Sequence, residues 1–212
     1  MYLITDSGYN THLLQEFIIM PESGYINYYE LLGLANEAKP GEARNAYKKR
    51  IKNLIADFSS KEQTRDIVNA FVLDMAQFNA AVYVLRDNTR RPEYWEERSY
   101  LIALEEKWVA LGDESTSESD TLRREFDTKI KAFLSKYVEE MTLEAGTDKH
   151  VVEASQWGES HARHATRLLR LFRHNLYHQI LERLPYHQVT RPQIDWTERT
   201  AVVAELIAGE TH

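Results

Sequence analysis

The sequence predicts an all-α protein, and composition, breaker residues and hydrophobic periodicity all favour this class. The 212 residues include only eight glycines and five prolines, too few for the many turns of a β-sandwich. Apolar residues make up 43% of the chain, enough to fill a hydrophobic core. Between the breakers, apolar residues recur at three- and four-residue spacing, the period of an amphipathic helix.

The predicted elements follow one another between breaker residues. Tyr47, Leu54 and Phe58 lie on one apolar stripe of the first long helix, and Lys39-Pro40-Gly41 precedes it. Gly33 is expected to end a short preceding helix in a left-handed turn. The long helices are predicted at 42–58, 66–86, 93–111, 120–145 and 150–184, with a short helix at 197–208 and a strand candidate at 2–5.

The polar run 112–119 contains no hydrophobic residue and is predicted to be a linker. It divides the chain into an N-terminal segment (1–26), a helical domain (27–111) whose last helix is extended, the linker (112–119), and a C-terminal helical hairpin or bundle (120–212). Residues 13–18 have apolar side chains at helical spacing, which suits a packed N-terminal helix or a docking segment.

Composition excludes several classes of protein. Without cysteine, the chain has no disulfide, thiolate zinc site, iron–sulfur cluster or cysteine nucleophile. With 26 basic and 33 acidic residues the net charge is −7, so nucleic acid is not an expected partner. No apolar run reaches the roughly 18–20 residues of a membrane span, and the first ten residues contain no basic residue. We expect a soluble cytoplasmic protein with no membrane contact.

Enzyme signatures are also missing from the sequence. It contains no Gly-rich dinucleotide motif, no Walker loop and no nucleophile elbow. We therefore predict no enzymatic activity, no catalytic residues and no cofactor.

Four short stretches between residues 27 and 95 carry a family resemblance. They read NYYELLGL at 27–34, EARNAYKK at 42–49, AAVYVLRD at 80–87 and RRPEYW at 90–95. In this order and spacing they resemble the J-domain, the DnaJ-like module that binds the seventy-kilodalton heat-shock chaperone. The resemblance covers about a third of the chain. It implies a helical hairpin with a short helix across one end, and a possible contact with that chaperone.

One departure from the family pattern bears on function. A working J-domain carries a His-Pro-Asp triplet after its second helix, and Ile55, Ala56 and Asp57 occupy that position here. Ala56 lets the helix continue, whereas proline would break it. In the family this triplet activates the chaperone ATPase, so we expect that activation to be absent. Asp57 is either a remnant of the binding site or an ordinary charge at a helix end.

The predicted helix 42–58 is basic although the chain is acidic. Its five cations outnumber its two acids, and the resemblance implies that this face docks on an acidic surface of the chaperone. The alternative is a solvated face that pairs with acids of the same chain. The candidate protein-binding residues of this region are Arg44, Lys48, Lys49, Arg50, Lys52 and Asp57.

A second basic stripe is predicted on the helix 150–184. The candidate binding residues are Arg163, Arg167, Arg170, His174 and His178, with Arg173 at the same spacing. Three uses remain open: pairing with acids of this chain or of a second copy, binding an acidic protein, or binding nucleic acid. His174 and His178 could face one metal ion, with Glu182 the only obvious helper, but no third strong ligand follows and we predict no metal site.

These observations favour a non-enzymatic adaptor or assembly protein. In this hypothesis the J-like module is a binding scaffold, and the C-terminal helices bind a partner or a second copy of the chain. One alternative is a specialised co-chaperone that docks the seventy-kilodalton heat-shock chaperone through its basic second helix. The other is a helical metal-binding protein or enzyme that uses the His-rich helix.

Overall fold

The computed structural model describes residues 26–111, 117–182 and 200, and no strand occurs among them. This confirms the all-α prediction. The strand candidate at 2–5, residues 13–18 and almost all of the predicted helix 197–208 lie outside the described residues. The described elements are α1 (Tyr28–Leu32), α2 (Pro40–Ser60), α3 (Arg65–Leu85), α4 (Arg90–Ala110), α5 (Ser117–Leu134), the π-helical segment π1 (Ser135–Glu140), α6 (Met141–Ala145), α7 (Lys149–Ser155) and α8 (Glu159–Glu182).

Helices α2 and α3 begin and end within two residues of their predicted bounds. Helix α4 begins three residues before its predicted start because an upstream carboxylate caps it. The side chain of Asp87 accepts hydrogen bonds from the backbone N–H groups of Thr89 and Arg90, both at 2.8 Å. Pro92 lies in the first turn of α4, where no intrahelical N–H bond is lost.

Two helix boundaries in the second half depart from prediction. The single helix predicted at 150–184 is wrong, because Gln156 adopts a left-handed conformation (φ 55°) and ends α7, and α8 begins at Glu159. The side chain of Trp157 is buried at this break. Helix α5 begins at Ser117, inside the segment predicted as a linker, and the side chain of Ser119 is buried.

The short helix α1 is fixed by a cap at each end. The side-chain oxygen of Asn27 accepts a hydrogen bond from the backbone N–H of Tyr29 at 3.1 Å. Gly33 ends the helix in the left-handed region (φ 71°), and its N–H returns to the carbonyl of Glu30 at 2.8 Å. The left-handed turn predicted at Gly33 is confirmed.

Helix α3 is the central element of the fold. It packs against α2 and α1 on one side and against α6, α7 and α8 of the second half on another. It is also long and apolar enough to cross a membrane by length and composition, but 61% of that apolar stretch is buried inside this fold. Buried residues of both halves therefore form one hydrophobic core around α3.

The chain from Ser117 to Ala145 runs as one helix, in which π1 joins the α-helical parts α5 and α6. At the end of this segment the N–H of Met141 bonds the carbonyl of Lys136, five residues earlier. Before π1 the helix packs on α4, and after it the helix packs on α3.

A cluster of three tyrosines joins α1, α4 and π1. The ring of Tyr28 stacks on Tyr94 with 4.7 Å between centroids, and Tyr137 meets Tyr94 edge-on at 4.9 Å. The Tyr94 hydroxyl donates to the carbonyl of Ile26 at 2.7 Å and accepts the Tyr28 N–H at 2.9 Å. The Tyr28 hydroxyl donates to the Tyr137 carbonyl. Burial raises the pKa of the Tyr94 hydroxyl, which keeps it a neutral donor.

A polar joint connects α2, α3 and α7. The Tyr47 hydroxyl donates to Asn79 Oδ1 at 2.8 Å, and Asn79 Nδ2 donates to the Ser155 hydroxyl at 3.4 Å. Burial raises the pKa of Tyr47 to about 12. At the end of α3, Arg86 pairs with Asp148, whose side chain also caps α7. The halves of the chain are thus held together by aromatic and by polar contacts.

Candidate protein-binding surfaces

The exposed face of α2 carries a row of basic side chains, which we call the α2 basic face: Arg44, Lys48, Lys49 and Lys52. Three of these residues follow one another at four-residue spacing, and all four are exposed. The opposite face of the helix packs on α3 and α1. The fold therefore presents these four cations to solvent.

Arg50 is placed differently from the other cations of α2. It is half-buried, and its guanidinium lies against the turn that ends α1. A Cβ atom built on Gly33 would lie only 2.8 Å from Nη2 of Arg50. Arg50, a predicted binding residue, thus contributes to the packing of α1 on α2.

No residue of the α2 basic face forms an ion pair within the described part of the chain. Pairing with acids of the same chain, which the sequence left open, is not found there. Asp57 has a local partner, because its carboxylate contacts the Lys61 ammonium at 2.6 Å one turn later. This is the arrangement of an ordinary charge pair at a helix end.

The hairpin end contains no His-Pro-Asp triplet. Ile55, Ala56 and Asp57 lie inside α2, which continues to Ser60, and residues 61–64 connect it to α3. Stacking of Phe58 on Phe71 (4.0 Å between centroids) closes the hairpin just before this connection. The continuation of the helix through Ala56 agrees with prediction.

The basic stripe of α8 is divided between paired and unpaired arginines. The Glu139 carboxylate of π1 contacts Arg170 Nε at 3.0 Å and Arg173 Nη1 at 2.6 Å, and its side chain is only 15% exposed. Arg163 and Arg167 are exposed and form no ion pair within the described residues. Glu139 therefore neutralises Arg170 and Arg173 in the middle of the stripe. Arg163 and Arg167, at its beginning, have no acidic partner within the described residues.

His174 and His178 lie side by side on the exposed surface of α8, with 4.2 Å between ring centroids. The described residues contain no group of three or more side chains placed to hold a metal ion. Two imidazoles are fewer than the three or four protein ligands of a typical zinc site.

His161 is half-buried, with its ring against Trp157 and Phe71. Its Nδ1 accepts the backbone N–H of Gly158 at 3.1 Å. Burial, with a smaller effect from the charge of His164, lowers the pKa of His161. This imidazole is thus a neutral group at the start of α8.

Asp74 is the residue that sequence reasoning missed. It is half-buried on α3, has no hydrogen-bond or ion partner within the described residues, and burial raises its pKa to about 7. A signal was present, because Asp74 is the single charged residue in the apolar run 70–76. A carboxyl with a raised pKa can act as a proton acceptor.

Comparison with protein-family models, with curated proteins and with solved structures finds no match to this chain.

Proposed function

We propose that the chain is a non-enzymatic protein-binding adaptor, and that the α2 basic face docks on an acidic surface of a partner protein. One observation carries the proposal: four exposed cations stand together on one helix face with no acidic partner within the described residues. Like charges at four-residue spacing repel one another, so the arrangement does not stabilise the helix. An acidic partner would relieve that repulsion.

The chemistry of this face favours fast, salt-sensitive docking. Its exposed side chains are charged or polar, and complementary charge mainly raises the association rate and selects the partner. Nucleic acid is a weaker candidate partner, because the net charge is −7. Outside the α2 basic face, the acidic surface of such a protein repels phosphate groups.

The resemblance to J-domains supports the seventy-kilodalton heat-shock chaperone as the first partner to test. Since the His-Pro-Asp triplet is missing, we propose docking without activation of the chaperone ATPase. The alternative is a specialised co-chaperone that docks the same chaperone through its basic second helix. It rests on the same resemblance, and stimulation of the ATPase would favour it.

The experiment measures binding to the chaperone and its ATPase rate with the same protein samples. We expect binding without stimulation, and a loss of about tenfold or more in affinity for the triple variant Lys48→Glu, Lys49→Glu, Lys52→Glu. The matched control is the triple variant Lys107→Glu, Lys129→Glu, Lys149→Glu, which makes the same charge change at exposed positions on α4, α5 and α7. Stimulation comparable to that of an intact J-domain would reject the adaptor in favour of the co-chaperone. Equal binding by the triple variant would reject the α2 basic face.

A further inference from the structure

We propose that α8 carries a second docking surface, which binds a segment of another protein that has a carboxylate next to an apolar side chain. We define the α8 surface by Arg163, Arg167 and Leu171. It lies on a different helix from the α2 basic face, so the inference goes beyond the proposed function and does not depend on it.

The fold itself shows what a pair of arginines on α8 binds. Arg170 and Arg173 hold the carboxylate of Glu139, with N···O distances of 3.0 and 2.6 Å. Arg163 and Arg167 stand four residues apart on the preceding turns and lack such an acid within the described residues. Guanidinium groups bind carboxylates through charge-assisted hydrogen bonds, so Arg163 and Arg167 suit a carboxylate from outside the described residues, and we assign it to a partner protein.

Leu171 adds an apolar contact beside these arginines. Its side chain is 54% exposed, more than any other large hydrophobic residue in the described part of the chain. It follows Arg167 by four residues and therefore lies next to it on the helix surface. A single exposed leucine is common on protein surfaces, but here it adjoins two unpaired cations. The combination fits a segment that offers both an acid and an apolar side chain.

Two other occupants fit this surface less well. A second copy of the chain would bring the same arginines and histidines against it, and like charges would face each other across an antiparallel pair of α8 helices. A nucleic-acid backbone would satisfy the arginines but would place no aliphatic group on Leu171. The surface therefore favours an acidic, partly apolar protein segment.

The test uses the full chain and a synthetic twelve-residue peptide made of three Glu-Glu-Leu-Leu repeats, with a fluorescent label read by anisotropy. The background is Arg44→Glu with Lys48→Glu, which disables the α2 basic face so that the two surfaces do not share the probe. We expect the background protein to bind the peptide. Failure of the background protein to bind it would overturn the α8 proposal while leaving the α2 proposal open.

Variants of α8 are then added to this background. Arg167→Glu should weaken binding by about tenfold, whereas Lys149→Glu, with the same charge change on α7, should alter it by less than about twofold. Arg163→Lys with Arg167→Lys keeps the charge and should cost about threefold through the lost planar geometry. Leu171→Ser should also cost about threefold. Circular dichroism of each variant checks that the helices remain folded.

Three results would contradict the proposal. Equal weakening by Arg167→Glu and Lys149→Glu would show general charge attraction only. An unchanged affinity in Leu171→Ser, or for a peptide with serine in place of leucine, would remove the apolar contact. The surface would be assigned to nucleic acid if duplex DNA bound more tightly than the peptide and if Arg167→Glu abolished that DNA binding.

Discussion

Helices α2 and α3 are the two arms of one hairpin and have 21 residues each, but their surroundings are opposite. Three residues of α2 are buried, against twelve of α3. The difference arises because helices from the second half cover the side of α3 that α2 leaves open. The comparison shows that α3 supports the fold, whereas α2 keeps a charged face toward solvent, which is the face we propose for docking. Four changes can break or sharpen this contrast.

The largest change in stability is expected when a buried side chain of α3 is truncated. Leu85 has no exposed surface, and Leu85→Ala removes its side chain from the core shared by both halves. We expect a loss of about 3 kcal/mol in the free energy of unfolding, within the range typical of buried leucines. Denaturant unfolding measures it. The same substitution at the exposed Leu171 is the control, and comparable losses at both positions would contradict the placement of α3 at the centre.

The next effect concerns the polar joint between the two arms. Asn79→Ala removes the acceptor of the Tyr47 hydroxyl and the donor to Ser155, all inside the core. The Tyr47 hydroxyl then keeps only its longer contact with the Val151 carbonyl, at 3.5 Å. Loss of the shorter buried hydrogen bond should cost about 2 kcal/mol of stability. Thermal unfolding followed by circular dichroism measures the change. A variant as stable as the wild type would show that this joint does not hold α2 on α3.

A gain is expected from Asp74, the half-buried carboxyl of α3, which has no partner within the described residues. Because burial raises the pKa of Asp74 to about 7, the folded chain keeps between about pH 4 and pH 7 a proton that the unfolded chain has lost. The contribution of Asp74 to stability should therefore fall as pH rises through this window, whereas His161, whose pKa is lowered by burial, contributes a rise below its ordinary pKa. Relative to the wild type, Asp74→Asn should remove the fall and add about 1 kcal/mol above pH 7, with partial exposure reducing the gain.

Unfolding midpoints at pH 5 and pH 8 check this prediction. Asp66→Asn, at an exposed position in the first turn of α3, is the matched control and should leave the pH dependence in place. An Asp74→Asn protein that is less stable than the wild type at pH 8 would mean that the carboxylate is satisfied in solution.

The smallest effect is expected on the α2 basic face. Replacing Lys48 and Lys52 by alanine should change stability by no more than about 0.5 kcal/mol, with a slight gain, because it relieves like-charge repulsion at four-residue spacing. The same protein should lose affinity in the chaperone assay. A large loss of stability would show that these lysines support the fold, and the contrast between the arms would fail.

The helical periodicity of the sequence was sufficient to place α2 and α3, because their apolar stripes and flanking breakers are local features. The left-handed Gln156 was not predicted: Gly158, two residues later, is the only local breaker, and glutamine rarely adopts this conformation. The π-helical segment was missed because residues 120–145 contain no glycine or proline.

The sequence identified the charged candidate binding residues, but it did not show which of them are exposed and which have an ion-pair partner. Sequence spacing placed Arg44, Lys48 and Lys52 on one face, but it could not show that Arg50 turns toward α1. Nor could it show that Glu139 pairs with Arg170 and Arg173, whereas Arg163 and Arg167 have no acidic partner within the described residues. These distinctions depend on which helices become neighbours, and the sequence contains that information only through the whole fold.

The π-helical segment has a consequence for how the chain tolerates change in length. In a regular helix an extra residue would rotate all later side chains by about 100° about the axis, and the wider turn of π1 absorbs one such residue. The first part of this helix therefore packs on α4 and the last part packs on α3 without that rotation. Removing a single residue between Ser135 and Glu140 should leave a regular helix with the same side of α6 toward α3. A deletion within α5, where no wide turn absorbs the change, should therefore disturb the molecule more than a deletion within π1.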